Sequence, residues 1–180
     1  GAIIMTHGDD EGLILPPAIA PYQVVIVPVA AHKPGVLEKA EELRERLSKF
    51  VRVKLDDSEN SPGWKFAQWE MKGVPLRLEI GPKDIENGQC VLVRRDNREK
   101  AFTKLEDLEA AIPALLDALG KSLYARAEAN RAGRTWTATT MDEVLERAGG
   151  ENGYIKTMWC GDLACEEMMK EKAGLSSRCM

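Results

Sequence analysis

Residues 23–29 read QVVIVPV, nearly all apolar and mostly β-branched. A strand with one wet face alternates apolar and polar residues; an unbroken apolar run belongs inside a sheet covered on both faces by helices. The chain on the C-terminal side supplies those helices. Pro34-Gly35 precedes a helix expected over 36–50, in which Val36, Leu37, Ala40, Leu43 and Leu47 follow helical spacing among Glu, Lys and Arg. Val51, Val53 and Leu55 then alternate with Arg52 and Lys54 as a second strand. After a polar loop at 56–61, Pro62 or Gly63 opens a helix through about Lys72, and Gly73 stops it. In the next strand Leu76, Leu78 and Ile80 share one face, and Arg77 and Glu79 share the other. Gly81-Pro82-Lys83-Asp84 and Asn87-Gly88 read as turns around a short gap, and residues 90–95 as a further strand. Thr103 and Glu106 fit a capping box ahead of a long helix to about Arg131, with Leu105, Leu108, Ile112, Leu115, Leu119 and Leu123 facing the core. The order β, α, β, α, β, β, α predicts an α/β fold, a mixed sheet flanked by helices, its first crossovers right-handed.

The two ends read differently. Residues 1–5 (GAIIM) form an apolar strand without an initiator Met, as if cut from inside a larger protein, and residues 7–12 are turn chemistry. Residues 13–15 are a short strand, and Pro16, Pro17 and Pro21 keep the following linker extended. Residues 131–139 read as a connector. Thr140 and Glu143 cap a short helix ending at Gly149-Gly150. Residues 154–159 form a strand and 162–173 a last helix. Three parts follow: a leading segment (1–20), an α/β domain (21–133) and a small α+β piece (134–180).

The chain has 180 residues, 44% of them hydrophobic and 30% charged with both signs mixed, a composition for a folded domain. No apolar run approaches the roughly 20 residues a membrane-spanning helix needs, and no signal peptide is visible. Four scattered Cys in such a chain point to a reducing compartment, here the cytoplasm. The net charge of −4 argues against a general nucleic-acid binder and against DNA. The charge is uneven, however. Residues 62–104 hold nine Lys/Arg against six Asp/Glu, leaving −7 for the remainder, which suits selective RNA recognition or is ordinary surface fluctuation.

Among chemistry-bearing residues, Cys160 stands at a strand end and Cys165 in the first turn of a helix. Such a pair fits half of a zinc site, two buried thiols or a redox pair; a closed zinc site needs four ligands, and Cys179 is the third candidate nearby. Cys90 reads as core. His7 and His32 lack partners at metal or triad spacing, and Asp9, Asp10 and Glu11 read as a solvated acidic turn. No phosphate-cradling glycine motif and no Ser/His/Asp set is present.

Residues 62–84, PGWKFAQWEMKGVPLRLEIGPKD, concentrate the rest. Phe66 and Glu70 are four apart on one helical face, while Trp69 turns toward the core. Arg77 leaves the apolar face of its strand, and Lys83 and Asp84 sit just past its end. One exposed aromatic platform, two cations and two carboxylates suit an unstacked base: the ring stacks, Arg and Lys donate to guanine O6 and N7, and carboxylates accept from guanine N1 and N2. A core Phe among surface ion pairs is the plainer reading of the same residues.

Residues 5–29 (MTHGDDEGLILPPAIAPYQVVIVPV), 62–84 and 159–180 (WCGDLACEEMMKEKAGLSSRCM) together resemble, in order and end to end, the C-terminal part of prolyl-tRNA synthetases of the archaeal/eukaryote-like type. The resemblance implies that 1–20 close the class II catalytic domain. It makes 21–133 a class IIa anticodon-binding domain with a mixed five-stranded sheet, and 134–180 part of a zinc-binding-like C-terminal domain. It also implies that Phe66, Glu70, Arg77, Lys83 and Asp84 hold the second and third anticodon bases, both guanine in proline tRNA. The parent enzyme is expected to be a homodimer that uses ATP and Mg to couple proline to tRNA(Pro) through a prolyl-adenylate. Motifs 1 and 2 of that chemistry are absent from these residues, so no proline activation and no catalytic residue is expected here. Cys160 and Cys165 correspond to half of the family's zinc ligands, so a bound zinc is not expected from this pair alone. Two rivals remain: an accessory protein that borrows the domain without reading an anticodon, and a thiol enzyme using Cys160 and Cys165.

Overall fold

The computed structural model describes residues 1–178. Two compact units divide at Ala125/Arg126. The first opens with α1 (Ala2–His7) and a two-stranded hairpin, β1 (Gly8–Asp9) and β2 (Gly12–Leu13). Residues 2–5 are therefore helical, not a strand; so short an apolar run is too brief to distinguish the two periods, and α1 buries no residue.

The body of this unit runs β3 (Val24–Pro28), α2 (Val36–Leu47), β4 (Val53–Leu55), α3 (Pro62–Met71), β5 (Leu76–Ile80), α4 (Pro82–Glu86), β6 (Gln89–Arg94), β7 (Lys100–Lys104) and the part of α5 (Leu108–Gly133) up to Ala125. A single 3-10 turn, Leu105–Asp107, leads into α5. The sheet order is β4-β3-β5-β6-β7, with β3 parallel to both β4 and β5, and β6 antiparallel to β5 and β7. This is the expected mixed five-stranded sheet. Its fifth strand lies where a capping box was expected. Thr103 pairs with Cys90 in the β6–β7 ladder and caps no helix, because the alternation of residues 100–104 completes the sheet. The segment expected as a Gly81–Asp84 turn continues as the short helix α4, with Pro82 in its first turn.

Alternation along the strands sorts side chains to two faces. Val24, Ile26, Leu76, Leu78, Ile80, Cys90 and Leu92 pack with Ala40, Leu43 and Leu47 of α2 and with Leu108, Ile112 and Leu116 of α5. On the other face Val25 and Val27 pack with Val74 and with Phe66 and Trp69 of α3. All of β3 is buried, as the unbroken apolar run requires. Each such Val or Ile contributes about 1.5–3 kcal/mol by leaving water. Arg77 and Glu79 pair in register with Val25 and Val27, so they lie on the α3 face.

The second unit holds β8 (Thr135–Thr137), α6 (Met141–Ala148), β9 (Tyr154–Lys156) and α7 (Leu163–Ala173), with β8 and β9 parallel. Thr140 and Glu143 form the expected capping box of α6. The stretch expected as a connector supplies β8, because Thr135, Trp136 and Thr137 find their partners in β9. Among the described residues no helix is long and apolar enough to cross a membrane.

Candidate nucleic-acid interface

Helix α3 starts where Ser61 accepts a hydrogen bond from the Trp64 amide and Pro62 presets the first turn. It ends at Gly73, whose φ of +74° and 2.7 Å clearance to the Leu13 backbone leave no space for a Cβ. Its underside is fixed by polar bonds. Lys65, 1% exposed, donates Nζ to the Asp56 carbonyl at 2.9 Å, and Trp69 Nε1 donates to Asp56 Oδ2 at 2.7 Å. Burial raises the Asp56 carboxyl, but the Ser58 hydroxyl, the Trp69 indole, the Ser58 amide and the Lys65 charge outweigh it and hold the carboxyl below the usual carboxylate range. Trp69 thus has the inward role expected of it, with its polar edge satisfied.

Phe66 and Glu70 leave the same helix face toward Arg77. The Arg77 guanidinium lies 4.1 Å from the Phe66 ring centroid, a cation–π stack. Its Nη1 donates to Glu70 Oε1 at 2.5 Å and its Nε to Glu79 Oε1 at 2.9 Å. Arg77 and Glu79 are each only 9% exposed, not exposed as alternation suggested, because α3 covers this face of the sheet. A charge in such a place needs paired, hydrogen-bonded neighbours, and two carboxylates and a ring face supply them. Nη2 of Arg77 takes no protein partner among the described residues.

Lys83 and Asp84 form a separate group in the first turn of α4. Lys83 is exposed. Asp84 Oδ2 accepts the Gly81 amide at 2.9 Å, which leaves Oδ1 free of the cap. Among the described residues neither makes a hydrogen bond or ion pair with the Phe66–Glu70–Arg77–Glu79 cluster. Burial pushes the Cys90 thiol up to about 12, the nearby Asp84 carboxylate adding to the effect, so Cys90 is a neutral core residue.

Two residues outside the expected set complete the cluster. Glu79 stands two residues beyond Arg77 and so shares its face; that spacing was the available signal. Arg95, 5% exposed, donates Nε to the Glu70 carbonyl at 2.9 Å and grips Asp9 with both Nη atoms at 2.8 and 2.6 Å. Arg98 pairs with Glu11. The acidic turn is therefore docked on the β6–β7 hairpin, not simply solvated. The Arg95 hydrogen bonds hold the Asp9 carboxyl down at about 2. A cleft of about 10 Å3, lined by Trp69, Glu70, Arg77, Arg94, Arg95 and Arg98, opens beside the cluster. It has room for about one water and none for a base.

In the second unit Cys160 is exposed and Cys165 half-buried, so two buried thiols do not describe this pair. A hydrogen bond between the thiols lowers the Cys160 pKa and raises that of Cys165. Asp162 caps α7, its Oδ1 accepting the Ala164 amide at 2.9 Å. No group of three or more His, Cys, Asp or Glu able to hold a metal occurs among the described residues, so the donors present do not fit a closed zinc site. Cys179 lies outside the described residues.

Comparison with known proteins gives the family. Residues 23–115 match the anticodon binding domain family. The chain is 63% identical over its full length to a proline–tRNA ligase of Clostridium novyi (strain NT), covering 38% of that protein. It is 58% identical over its full length to a proline–tRNA ligase of Clostridium botulinum (strain Langeland), again 38% of it. Identity to a protein named proline–tRNA ligase 2 of Bacillus cereus (strain ATCC 10987) is 55%, with the same coverage. The chain therefore spans well under half the length of these relatives.

Proposed function

The chain belongs to the anticodon-binding domain family, and from that premise we propose that it selects tRNA(Pro) by the two guanines at the second and third anticodon positions. One observation carries the reading: a guanidinium laid on an aromatic ring and held by two carboxylates, with Nη2 left over. Arg77 donates from Nη2 to guanine O6 or N7. Glu70, with its second oxygen, accepts from guanine N1–H or N2–H. One face of Phe66 already carries Arg77, so the base that Nη2 reads lies beside the guanidinium in its plane, and Phe66 sets that plane. Lys83 and the free oxygen of Asp84 meet the neighbouring guanine or its phosphate.

The relatives' name supports a wider proposal for the longer protein. It is a cytoplasmic, homodimeric ligase that joins proline to tRNA through a prolyl-adenylate, with ATP and Mg bound outside the residues described above. Residues 1–20 close its catalytic domain, 21–133 form the reading domain and 134–180 a C-terminal piece. Identity along the whole chain, including segments outside the reading domain, weighs against a borrowed accessory domain. No catalytic step is assigned to Cys160 or Cys165.

The test is the affinity of the 180-residue chain for a labelled proline anticodon stem-loop and for the same stem-loop with adenine at both guanine positions. Losing two good contacts should weaken binding by about 2–6 kcal/mol in total. Equal affinity for the two overturns the reading and favours the accessory one.

A further inference from the structure

We propose that Glu79 is a positioning residue for base readout: by accepting the Nε–H of Arg77 it fixes the rotation of the guanidinium, and so where Nη2 points. This rests on the anticodon reading above.

The geometry gives Arg77 three restraints. Phe66 fixes the plane of the guanidinium from below, at 4.1 Å. Within that plane Glu70 holds Nη1 and Glu79 holds Nε. A planar fork gripped at two of its three nitrogens cannot rotate in its plane, so the third nitrogen is aimed. The two carboxylates are not equivalent. The Glu70 side chain is 28% exposed and sits on a helix, in position to turn toward a ligand. The Glu79 side chain is 12% exposed and belongs to the central strand β5, between β3 and β6. When the second oxygen of Glu70 accepts from a guanine, Glu70 is shared between base and Arg77, and Glu79 is the restraint that serves Arg77 alone.

Two carboxylates also contact the single guanidinium of Arg77. Charge neutralisation alone would need one carboxylate. The second is explained by geometry, and a side chain that serves geometry must keep its reach more than its charge.

That distinction sets the test. Glu79→Gln keeps the reach and the acceptor oxygen but removes the charge. Glu79→Asp keeps the charge and pulls the oxygen back by one methylene. Both variants are compared with the unaltered chain on two stem-loops, one with guanine and one with 7-deazaguanine at the position Arg77 reads, which lacks the N7 acceptor. Thermal unfolding of each variant is recorded alongside, to confirm that the fold is kept. The unaltered chain should prefer guanine by about tenfold. Glu79→Gln should keep most of that preference, and Glu79→Asp should lose nearly all of it. If Glu79→Asp discriminates like the unaltered chain, or if Glu79→Gln alone loses discrimination, positioning is overturned. If the unaltered chain ignores N7, readout of that atom falls and the proposal falls with it. Retained preference for guanine over adenine would then show that the anticodon reading itself survives.

Discussion

Replacing Arg95 with Ala should loosen the helix that presents Phe66 and Glu70, and the size of the effect follows from the contacts. Arg95 makes three hydrogen bonds from a site 5% exposed: two to Asp9 and one to the Glu70 carbonyl. The Asp9 carboxyl falls from 3.8 to about 2. At about 1.36 kcal/mol per pH unit that fall corresponds to about 2.4 kcal/mol. The Asp9 side chain is 34% exposed, so water screens the pair and roughly halves this, to ~1 kcal/mol. The Glu70 bond and the buried aliphatic stem add about 1–2 kcal/mol. Arg95→Ala should therefore lower urea stability by about 2–3 kcal/mol, and Asp9→Asn by ~1 kcal/mol. In a double-mutant cycle the two should couple by ~1 kcal/mol. The pH dependence has a definite sign. A carboxylate held below its unfolded value contributes its full stabilisation above that value and loses it as pH falls through the folded one. Asp9 should thus cost stability between 3.8 and about 2. The unaltered chain should lose more on going from about pH 5 to about pH 3 than Asp9→Asn does. Additive mutations, with coupling below about 0.3 kcal/mol, and parallel acid limbs would show that the docked acidic turn stabilises nothing.

Gly73→Ala should cost about 2 kcal/mol or more in urea unfolding, since φ is +74° and the new methyl meets the Leu13 backbone at 2.7 Å; a neutral substitution would mean that α3 ends differently. A thiol reagent near neutral pH should label Cys160, exposed and lowered in pKa, long before Cys90, buried and held at about 12; equal rates would place Cys90 outside the core.

Much of this site is legible in the sequence because it is local. Phe66 and Glu70 are one helical turn apart, and Arg77 follows at the next strand, so a helix–strand unit of known spacing joins them. The burial of Arg77 is not local. Alternation assigns a face to Arg77 and Glu79, but only packing of α3 over that face makes it an interior. Asp9 and Arg95 meet across 86 residues, and no pattern along the chain reports such a pair. Strand β7 was hidden differently: residues 100–104 are short, and Thr103 with Glu106 imitates a helix start. The unbroken apolar run at 23–29 left no such ambiguity, and all of β3 is buried.

The most direct test joins Arg77 to the base it is proposed to read. Binding of the unaltered chain and of Arg77→Ala is measured on stem-loops with guanine and with adenine at the read position, with folding checked by thermal unfolding. Arg77→Ala should weaken binding to the guanine stem-loop by about 1–3 kcal/mol and leave the adenine stem-loop nearly unchanged, so that discrimination collapses. A folded Arg77→Ala that binds both stem-loops as the unaltered chain does, or loses the same amount on each, would contradict base reading by Arg77.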